Sequence, residues 1–279
     1  MKMPSRVLIA GCGYVGRRAA ELLQSRGCEV FAARRSAISA PAGVTPVALD
    51  LLGGDLSGLP TRLDAVVWAV SPTRDEAGYR RAYVDGPRRL LDHLEERGDP
   101  LQRLVLVSST SVWHRTDGAL VDEATAPSPL DFRGRAVLDG ERACAARAPT
   151  AVALRFAGIY GPGRTWLLDR VASAEAAPPL HAVHGNRIWR DDGARAIVHA
   201  LTLASPDPVY VVADDEPADL RDVYAWLADR LGVALPEPDP GFVSRGGNKR
   251  CCNHRLRASG LRLEAPNFRE GYSRLLTPS

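Results

Sequence analysis

The sequence predicts an α/β protein built on a doubly wound parallel sheet. Three observations predict this class. Short apolar segments alternate along the chain with segments of helical periodicity. Several apolar segments are almost continuously hydrophobic, as strands buried on both faces of a sheet are. A turn rich in glycine directly follows the first of them.

The predicted elements follow one another in a regular order. Strands are predicted at 6–10, 28–33, 44–50, 64–70, 103–109 and 150–156. Between them, helices are predicted over 15–27, 78–97 and 133–147. After residue 156 the chain is richer in Gly and Pro, and it is predicted to contain a helix near 193–204, a strand at 208–213, a helix near 219–231 and a short helix near 268–276.

The composition argues against several classes of protein. The formal net charge is only +3 and the basic residues are scattered, so we expect no nucleic-acid partner. The five cysteines are odd in number and include no Cys-x-x-Cys pair, which favours a reducing compartment. No apolar run has the length of a membrane span, so we expect a cytoplasmic protein. His181 and His184 lack neighbours that would complete a metal site, and we predict no metal.

The glycine-rich turn GCGYVG at 11–16 matches the G-x-G-x-x-G pattern of dinucleotide-binding turns. Its position after a strand and at the start of a helix favours phosphate binding, because a helix N-terminus offers free N–H groups. Gly11 allows the tight turn, Gly13 lets the backbone approach a pyrophosphate, and Gly16 allows close packing of helix on strand. The alternative is that these glycines only form a turn. The other cofactor-binding residues predicted in this turn are Cys12, Tyr14 and Val15.

The end of the second strand favours NADP over NAD. An acidic residue there would bind the ribose 2′-hydroxyl of NAD, whereas this chain has Arg34 and Arg35, whose planar guanidinium groups suit a 2′-phosphate. The alternative is two solvated surface arginines, with NAD as the cofactor. Asp50 is predicted either to meet the adenine amino group or to cap a helix. Further cofactor contacts are predicted at Leu51, Ala69, Val70 and Ser71.

These observations predict a Rossmann-type fold with a smaller C-terminal substrate-binding portion. We place the dinucleotide-binding domain at 1–156 and a mostly substrate-side portion at 157–279. Segments near 193–213 are predicted to return to the Rossmann sheet.

Several motifs resemble those of the extended short-chain dehydrogenase/reductase superfamily, in its atypical YeeZ-like branch of NAD-dependent epimerase/dehydratase-like proteins. The resemblance spans the chain in order and implies a Rossmann fold, a nicotinamide cofactor and a small-molecule substrate. The motifs are GCGYVGR at 11–17, SSTSVW at 108–113, LRFAGIYGPG at 154–163, NRIWRDD at 186–192, NKRCCNHRLRASG at 248–260 and FREGY at 268–272.

The same resemblance shows which catalytic groups this chain keeps and lacks. It implies a catalytic hydroxyl at Ser109, which could equally cap the end of a strand. The superfamily's Tyr-x-x-x-Lys pair aligns with Arg133 and Val137. Arginine keeps its proton near neutral pH and valine has none to transfer. A shifted alignment restores nothing, because no lysine lies between Lys2 and Lys249 and no tyrosine between Tyr83 and Tyr160.

Other residues are candidates for the proton donor or for substrate contacts. Tyr160 is predicted as a catalytic proton donor, with His114 as a second candidate, and both could equally be packing or loop residues. Arg133 could hold an anionic group of the substrate, and Asn186 and Arg187 are predicted substrate contacts by the resemblance.

Charged residues in the C-terminal half have two interpretations. Asp191 and Asp192 are predicted to cap the helix that follows them. A later basic cluster is predicted either to form a pocket wall for phosphate or carboxylate, or to be a solvated loop before a helix capped by Asn253. Its members are Lys249, Arg250, His254, Arg255 and Arg257.

The sequence therefore supports two hypotheses on function. The first is an NADP(H)-dependent oxidoreductase that acts on an unknown carbonyl, alcohol or nucleotide-sugar-like substrate. The second is a non-catalytic protein that binds NADP(H) as a sensor or regulator, and the missing Tyr–Lys pair favours it.

Overall fold

Thirteen strands form one large sheet and three small ones in the described part of the chain. The computed structural model describes residues 3–36, 40–99, 101–148, 150–244 and 246–277. The strands are β1 (Arg6–Ala10), β2 (Glu29–Arg34), β3 (Thr45–Ala48), β4 (Ala65–Trp68), β5 (Arg103–Ser109), β6 (Ala119–Val121), β7 (Ala151–Phe156), β8 (Gly158–Tyr160), β9 (His184–Gly185), β10 (Arg187–Trp189), β11 (Val209–Val212), β12 (Ala218–Asp219) and β13 (Lys249–Cys251).

The predicted helices are present at close to the predicted positions, and a further helix at Trp166–Ala172 was not predicted. They are α1 (Tyr14–Gln24), α2 (Glu76–Arg80), α3 (Gly86–Glu96), α4 (Phe132–Arg147), α5 (Trp166–Ala172), α6 (Arg190–Thr202), α7 (Leu220–Leu231), α8 (His254–Ala258) and α9 (Phe268–Leu276). The segment predicted as one helix over 78–97 is interrupted, because a π turn at Arg81–Asp85 joins α2 to α3.

The seven-stranded sheet has the order β11-β7-β5-β4-β1-β2-β3. The pairs β1–β2, β2–β3, β1–β4 and β4–β5 are all parallel. This order reverses direction at β1, and ligands of open α/β sheets bind where the order reverses, beyond the carboxyl ends of the strands. The predicted doubly wound sheet is therefore confirmed.

The chain divides into two compact units. The first contains residues 1–112, 127–155 and 194–210, and the second contains 113–126, 156–193 and 211–279. The sequence placed 113–126 in the Rossmann domain, but within the second unit β6 pairs in parallel with β13. A strand pairing between residues far apart in sequence leaves no local signal, so this assignment could not be made from the pattern.

A buried ion pair joins three elements of the first unit. The Arg155 guanidinium on β7 donates to both carboxylate oxygens of Glu141 on α4, at 2.7 and 3.0 Å for the two shortest contacts. The Ser108 hydroxyl on β5 donates to the same carboxylate. All three side chains are buried, so the pair is shielded from solvent and ties α4 to the sheet.

In the second unit, several charged residues have structural roles that differ from the predictions. The helix-cap prediction for Asp191 and Asp192 is wrong, since α6 begins at Arg190. Asp192 is buried and accepts the backbone N–H groups of Glu264 and Ala265, both at 2.8 Å, so it fixes a distant segment.

The basic cluster near the C-terminus is not a simple solvated loop. Lys249 is buried in β13, and its Nζ donates to the Gly246 carbonyl at 2.6 Å. Asn253 stands at the start of α8 without capping it, because its amide donates to the Ala213 carbonyl and the Asp215 carboxylate.

We predict that Glu141→Ala strongly destabilises the protein, because the Arg155 guanidinium would stay buried without its partner. Breaking a buried pair in this way costs about 3–5 kcal/mol of unfolding free energy. Urea denaturation measures it. Asp139→Ala on the same helix is the matched control, because the Asp139 carboxylate is exposed and its ion pair with Arg142 is long, at 3.9 Å. This substitution should change the free energy of unfolding by less than about 1 kcal/mol. Equal effects of the two substitutions would contradict the role of the pair.

Candidate functional site

The glycine turn between β1 and α1 is tightly packed at two of its positions. Gly11 has a φ of +84°, and a Cβ atom there would lie 2.6 Å from the Ala69 carbonyl oxygen at the end of β4. A Cβ atom on Gly16 would lie 3.1 Å from a methyl group of Ile9, so α1 packs directly on β1. Gly13 is the N-cap of α1 and meets only its own turn, which leaves its surface open. The turn therefore has the geometry that a pyrophosphate requires.

A pocket of about 430 Å³ opens beside this turn within the first unit. Its volume falls in the range of about 300–1,000 Å³ that is usual for small-molecule sites. The predicted cofactor residues that line it are Gly11, Gly13, Arg34, Arg35, Asp50, Leu51, Ala69, Val70 and Ser71. The lining residues that the sequence did not identify are Ala33, Ser36, Leu49, Leu52, Gly53, Thr73, Gly78 and Arg81.

The remaining predicted residues of the turn do not line this pocket. Cys12, Val15 and Gly16 are buried, where they support the turn from behind. Burial raises the pKa of the Cys12 thiol, which makes it a poor nucleophile at neutral pH. Tyr14, the first residue of α1, is half-buried.

The charges around the pocket are mostly positive. Arg34, Arg35 and Arg81 line it, and Asp50 is the one carboxylate among its lining residues. Asp50 accepts the N–H of Leu52 at 3.1 Å in a turn, so the prediction that it caps a helix is wrong. A pocket with this balance of charge favours an anionic ligand.

Ser109 lies at the end of β5, as predicted. Its Oγ accepts the N–H of Ser111 at 3.1 Å at the start of a single 3₁₀ turn, Thr110–Val112. This is the capping geometry that the sequence left as an alternative to catalysis. The side chain is only half-buried, so its hydroxyl can still donate to a ligand.

The start of α4 carries Arg133 and Val137, the two residues that the sequence resemblance aligned with an acid–base pair. Asp131 caps this helix by accepting the N–H of Arg133 at 3.0 Å. The Arg133 side chain is exposed and its guanidinium lies 5.4 Å from the Phe132 ring centre, while Val137 is buried. Neither position holds a group that exchanges a proton near neutral pH.

Two tyrosines of the preceding helical segment lie near the start of α4. The Tyr79 ring contacts Phe132 edge-on with centres 5.6 Å apart, and it stacks on Tyr83 at 5.9 Å. Burial raises the pKa of Tyr83 to about 12. Sequence reasoning missed this pair because it searched for a tyrosine within the aligned motif, whereas these approach from another element.

Asn186, Tyr160 and His114 lie in the second unit, and the first two have structural contacts. Asn186 uses its whole amide on β13, donating to the Lys249 carbonyl and accepting from the Cys251 N–H. Tyr160 is buried in an aromatic cluster, with ring centres 5.5 Å from Trp189 and 4.8 Å from Tyr272. This burial favours the packing interpretation of Tyr160, and its catalytic role stays a prediction. His114 is exposed.

A group of buried polar atoms in the second unit has no hydrogen-bond partner among the described residues. It comprises the Tyr160 hydroxyl, one guanidinium nitrogen of Arg187 and both carboxylate oxygens of Asp214. The three residues are only 7%, 6% and 1% exposed. Arg187 therefore faces the protein interior, which argues against its predicted contact with substrate. Burial raises the pKa of Asp214 well above its usual range, and the nearby Arg187 charge opposes this only in part.

We predict that Asp214→Asn relieves a pH-dependent destabilisation. A carboxyl whose pKa is higher in the folded than in the unfolded protein binds its proton more tightly when folded. Its contribution to the stability of the fold is fully present at pH values below 3.8, the ordinary pKa of an Asp carboxyl. This contribution is lost as the pH rises toward the pKa of the folded protein. The difference in unfolding free energy, variant minus parent, should therefore grow as the pH rises above about 4. Asp229→Asn, at an exposed position of α7, is the control, and a flat difference for Asp214→Asn would contradict the assignment.

The described residues also bear on two other classes of function. Within the ranges given above, no helix combines the length and hydrophobicity that crossing a membrane requires. In the same part of the chain, His, Cys, Asp and Glu side chains form no cluster of three or more that could hold a metal ion.

Comparisons with known proteins agree with this geometry. The model of the NAD dependent epimerase/dehydratase family matches residues 7–213. A solved structure from Methylobacillus flagellatus, described as a candidate NAD-dependent epimerase/dehydratase, is 38% identical, with a TM-score of 0.83 over 98% of this chain and 97% of its own.

Two further relatives are more distant. A Streptomyces protein named 3-diazoavenalumate denitrifying reductase is 26% identical over 264 residues, which is 86% of each chain. The UDP-glucose 4-epimerase of Thermus thermophilus, solved with NAD, is 23% identical over 95% of this chain and 96% of its own. Its TM-score of 0.74 shows a shared fold.

Proposed function

Because the chain belongs to the NAD-dependent epimerase/dehydratase family, we propose that it is an NADP(H)-dependent oxidoreductase acting on a small carbonyl, alcohol or nucleotide-sugar-like substrate. The observation that carries the proposal is the pocket that joins the glycine turn to Arg34 and Arg35. The Streptomyces reductase supports reduction as the type of reaction. We propose a cytoplasmic location and no nucleic-acid partner.

The residues around the pocket fit such a cofactor. Gly11 and Gly13 leave the space that a Cβ atom would fill, so the backbone and the N-terminus of α1 can accept a pyrophosphate. Arg34 and Arg35 lie at the end of β2 and would pair with a ribose 2′-phosphate, with Ser36 beside them as a hydroxyl donor. The bound cofactor supplies hydride, and the protein supplies placement and a proton.

Ser109 is the residue we propose to act on the substrate oxygen. Its hydroxyl would donate to a carbonyl, because its backbone contact uses only its acceptor side. Arg133 is exposed at the start of α4 and would pair with an anionic group of the substrate. Tyr79 is proposed as the proton donor in place of the missing tyrosine, since its ring contacts Phe132 beside that position.

A second candidate function is a non-catalytic NADP(H) sensor. The exposed Arg133 and the buried Val137 favour it, because the positions of the usual acid and its activating lysine hold no proton-transferring group. The cofactor pocket would then serve to report the bound dinucleotide to a partner.

We predict that the protein binds NADPH more tightly than NADH, and that Arg34→Gln/Arg35→Gln removes this preference. Charge-assisted hydrogen bonds to the 2′-phosphate should be worth about a factor of 10–100 in affinity. Fluorescence titration of each dinucleotide measures it. Arg26→Gln, at an exposed site after α1, should leave both affinities within about twofold. Equal binding of NADPH and NADH by the parent would refute the proposed specificity.

We predict that Ser109→Ala lowers kcat at least about tenfold with unchanged NADPH affinity, because the substrate oxygen loses its donor. NADPH oxidation is followed with a panel of carbonyls and of 3-diazoavenalumate, the diazo compound in the name of the Streptomyces relative. Ser111→Ala is the matched control, since Ser111 is exposed and donates to Ser109 from its backbone N–H, which the substitution keeps. A parent that binds NADPH but turns over no member of the panel would favour the sensor.

A further inference from the structure

The backbone hydrogen bonds of the π turn between α2 and α3 differ from those of a regular helix. In a regular helix the Gly86 N–H would bond to the Ala82 carbonyl, but here it bonds to the carbonyl of Arg81. The Ala82 carbonyl accepts instead from the indole of Trp68 at 2.8 Å. Pro87 follows and has no N–H to donate, so it cannot restore the regular pattern.

The π turn holds one residue more than the same turn of a regular α-helix, and this changes which side chains face the pocket. One residue of α-helix corresponds to a rotation of about 100°, so the π turn rotates the preceding segment by about that angle relative to α3. Gly78 and Arg81, three residues apart and therefore on one face, both line the cofactor pocket. A Cβ atom on Gly78 would collide with the Thr73 hydroxyl, so this face is pressed against another pocket wall.

Arg81 also differs from its neighbour in its charge environment. Arg80 lies 3.6 Å from the Asp85 carboxylate. Arg81 makes no contact within ion-pair distance of a described carboxylate, although the pKa of Asp75 is lowered by hydrogen bonds from Thr73 and Gly78 and, to a smaller extent, by the Arg81 charge. Among the described residues, Arg34 and Arg35 form no ion pair either. Asp50, the acidic residue of the pocket lining, is held by the Leu52 N–H. Three arginines outside ion pairs fit a ligand that carries several negative charges.

We propose that Arg81 is a nucleotide-binding residue, which the π turn directs onto the adenosine diphosphate portion shared by NADPH and NADH. This inference rests on the proposed function of the same pocket. Arg34 and Arg35 lie at the end of β2, where a 2′-phosphate is read, whereas Arg81 enters from a helical segment beyond β4. Its contribution is therefore to affinity for both dinucleotides and not to the choice between them.

The test is titration of NADPH, NADH and ADP with the parent, Arg81→Gln and the matched control Arg80→Gln. We expect Arg81→Gln to weaken all three about tenfold or more, with an unchanged ratio of NADPH to NADH affinity, and Arg80→Gln to stay within about twofold. Equal effects of the two variants, or no effect of Arg81→Gln while the parent binds NADPH, would overturn this inference alone. A loss confined to NADPH would overturn the assignment to adenosine diphosphate. A parent that binds neither dinucleotide would overturn the proposed function as well.

The role of the π turn has its own test. Trp68→Phe removes the donor to the Ala82 carbonyl, so that this carbonyl can accept the Gly86 N–H as in a regular helix, which would turn Arg81 away from the pocket. We expect Trp68→Phe to weaken ADP binding in a protein that circular dichroism shows to be folded, and Arg81→Gln to add less than about twofold on that background. Full additivity of the two substitutions would show that the π turn does not present Arg81.

Discussion

The close approach of Gly11 to the Ala69 carbonyl is the contact on which the site depends. The two residues follow β1 and β4, the neighbouring strands at the centre of the sheet. With 2.6 Å between the carbonyl oxygen and the place of a Cβ atom, every other residue would push the two strand ends apart. Because α1 begins at Tyr14, shortly after this contact, the same constraint sets where the helix N-terminus points. This close approach is possible because Gly11 has no Cβ atom.

Within the first unit, the pocket and the start of α4 differ in the chemical groups that they carry. The turn, the strand ends and three arginines line one pocket. The start of α4 presents an exposed arginine, Arg133, and a buried valine, Val137. The buried Glu141–Arg155 pair nevertheless anchors this helix to the sheet. The helix is thus held in place by this pair, and the fold is compatible both with an enzyme that uses a proton donor on another element and with a sensor.

In the second unit, several polar side chains form structural hydrogen bonds with backbone groups. Asn186 joins two chain segments with both ends of its amide, and Asp192 does so with both carboxylate oxygens. These bonds satisfy buried backbone groups that no regular strand or helix would reach. Around Asp214 the pattern is different, because its carboxylate oxygens are buried without hydrogen-bond partners among the described residues. Such a group destabilises the fold when charged, so its stability effect depends on pH.

The sequence by itself determined the sheet, the glycine turn and most of the pocket, because these depend on short patterns. Val7, Leu8 and Ile9 form a continuous apolar run that can only be buried, and Gly11, Gly13 and Gly16 sit at spacings that a tight turn before a helix demands. The tertiary structure alone decided the surroundings of Arg81, Asp214 and Tyr79. In the sequence, Arg81 cannot be told from any exposed helical arginine. Its position depends on the π turn, where the Ala82 carbonyl accepts from the indole of Trp68, 14 residues earlier. Burial and rotation of a side chain are set by atoms distant in sequence, and no local pattern encodes them.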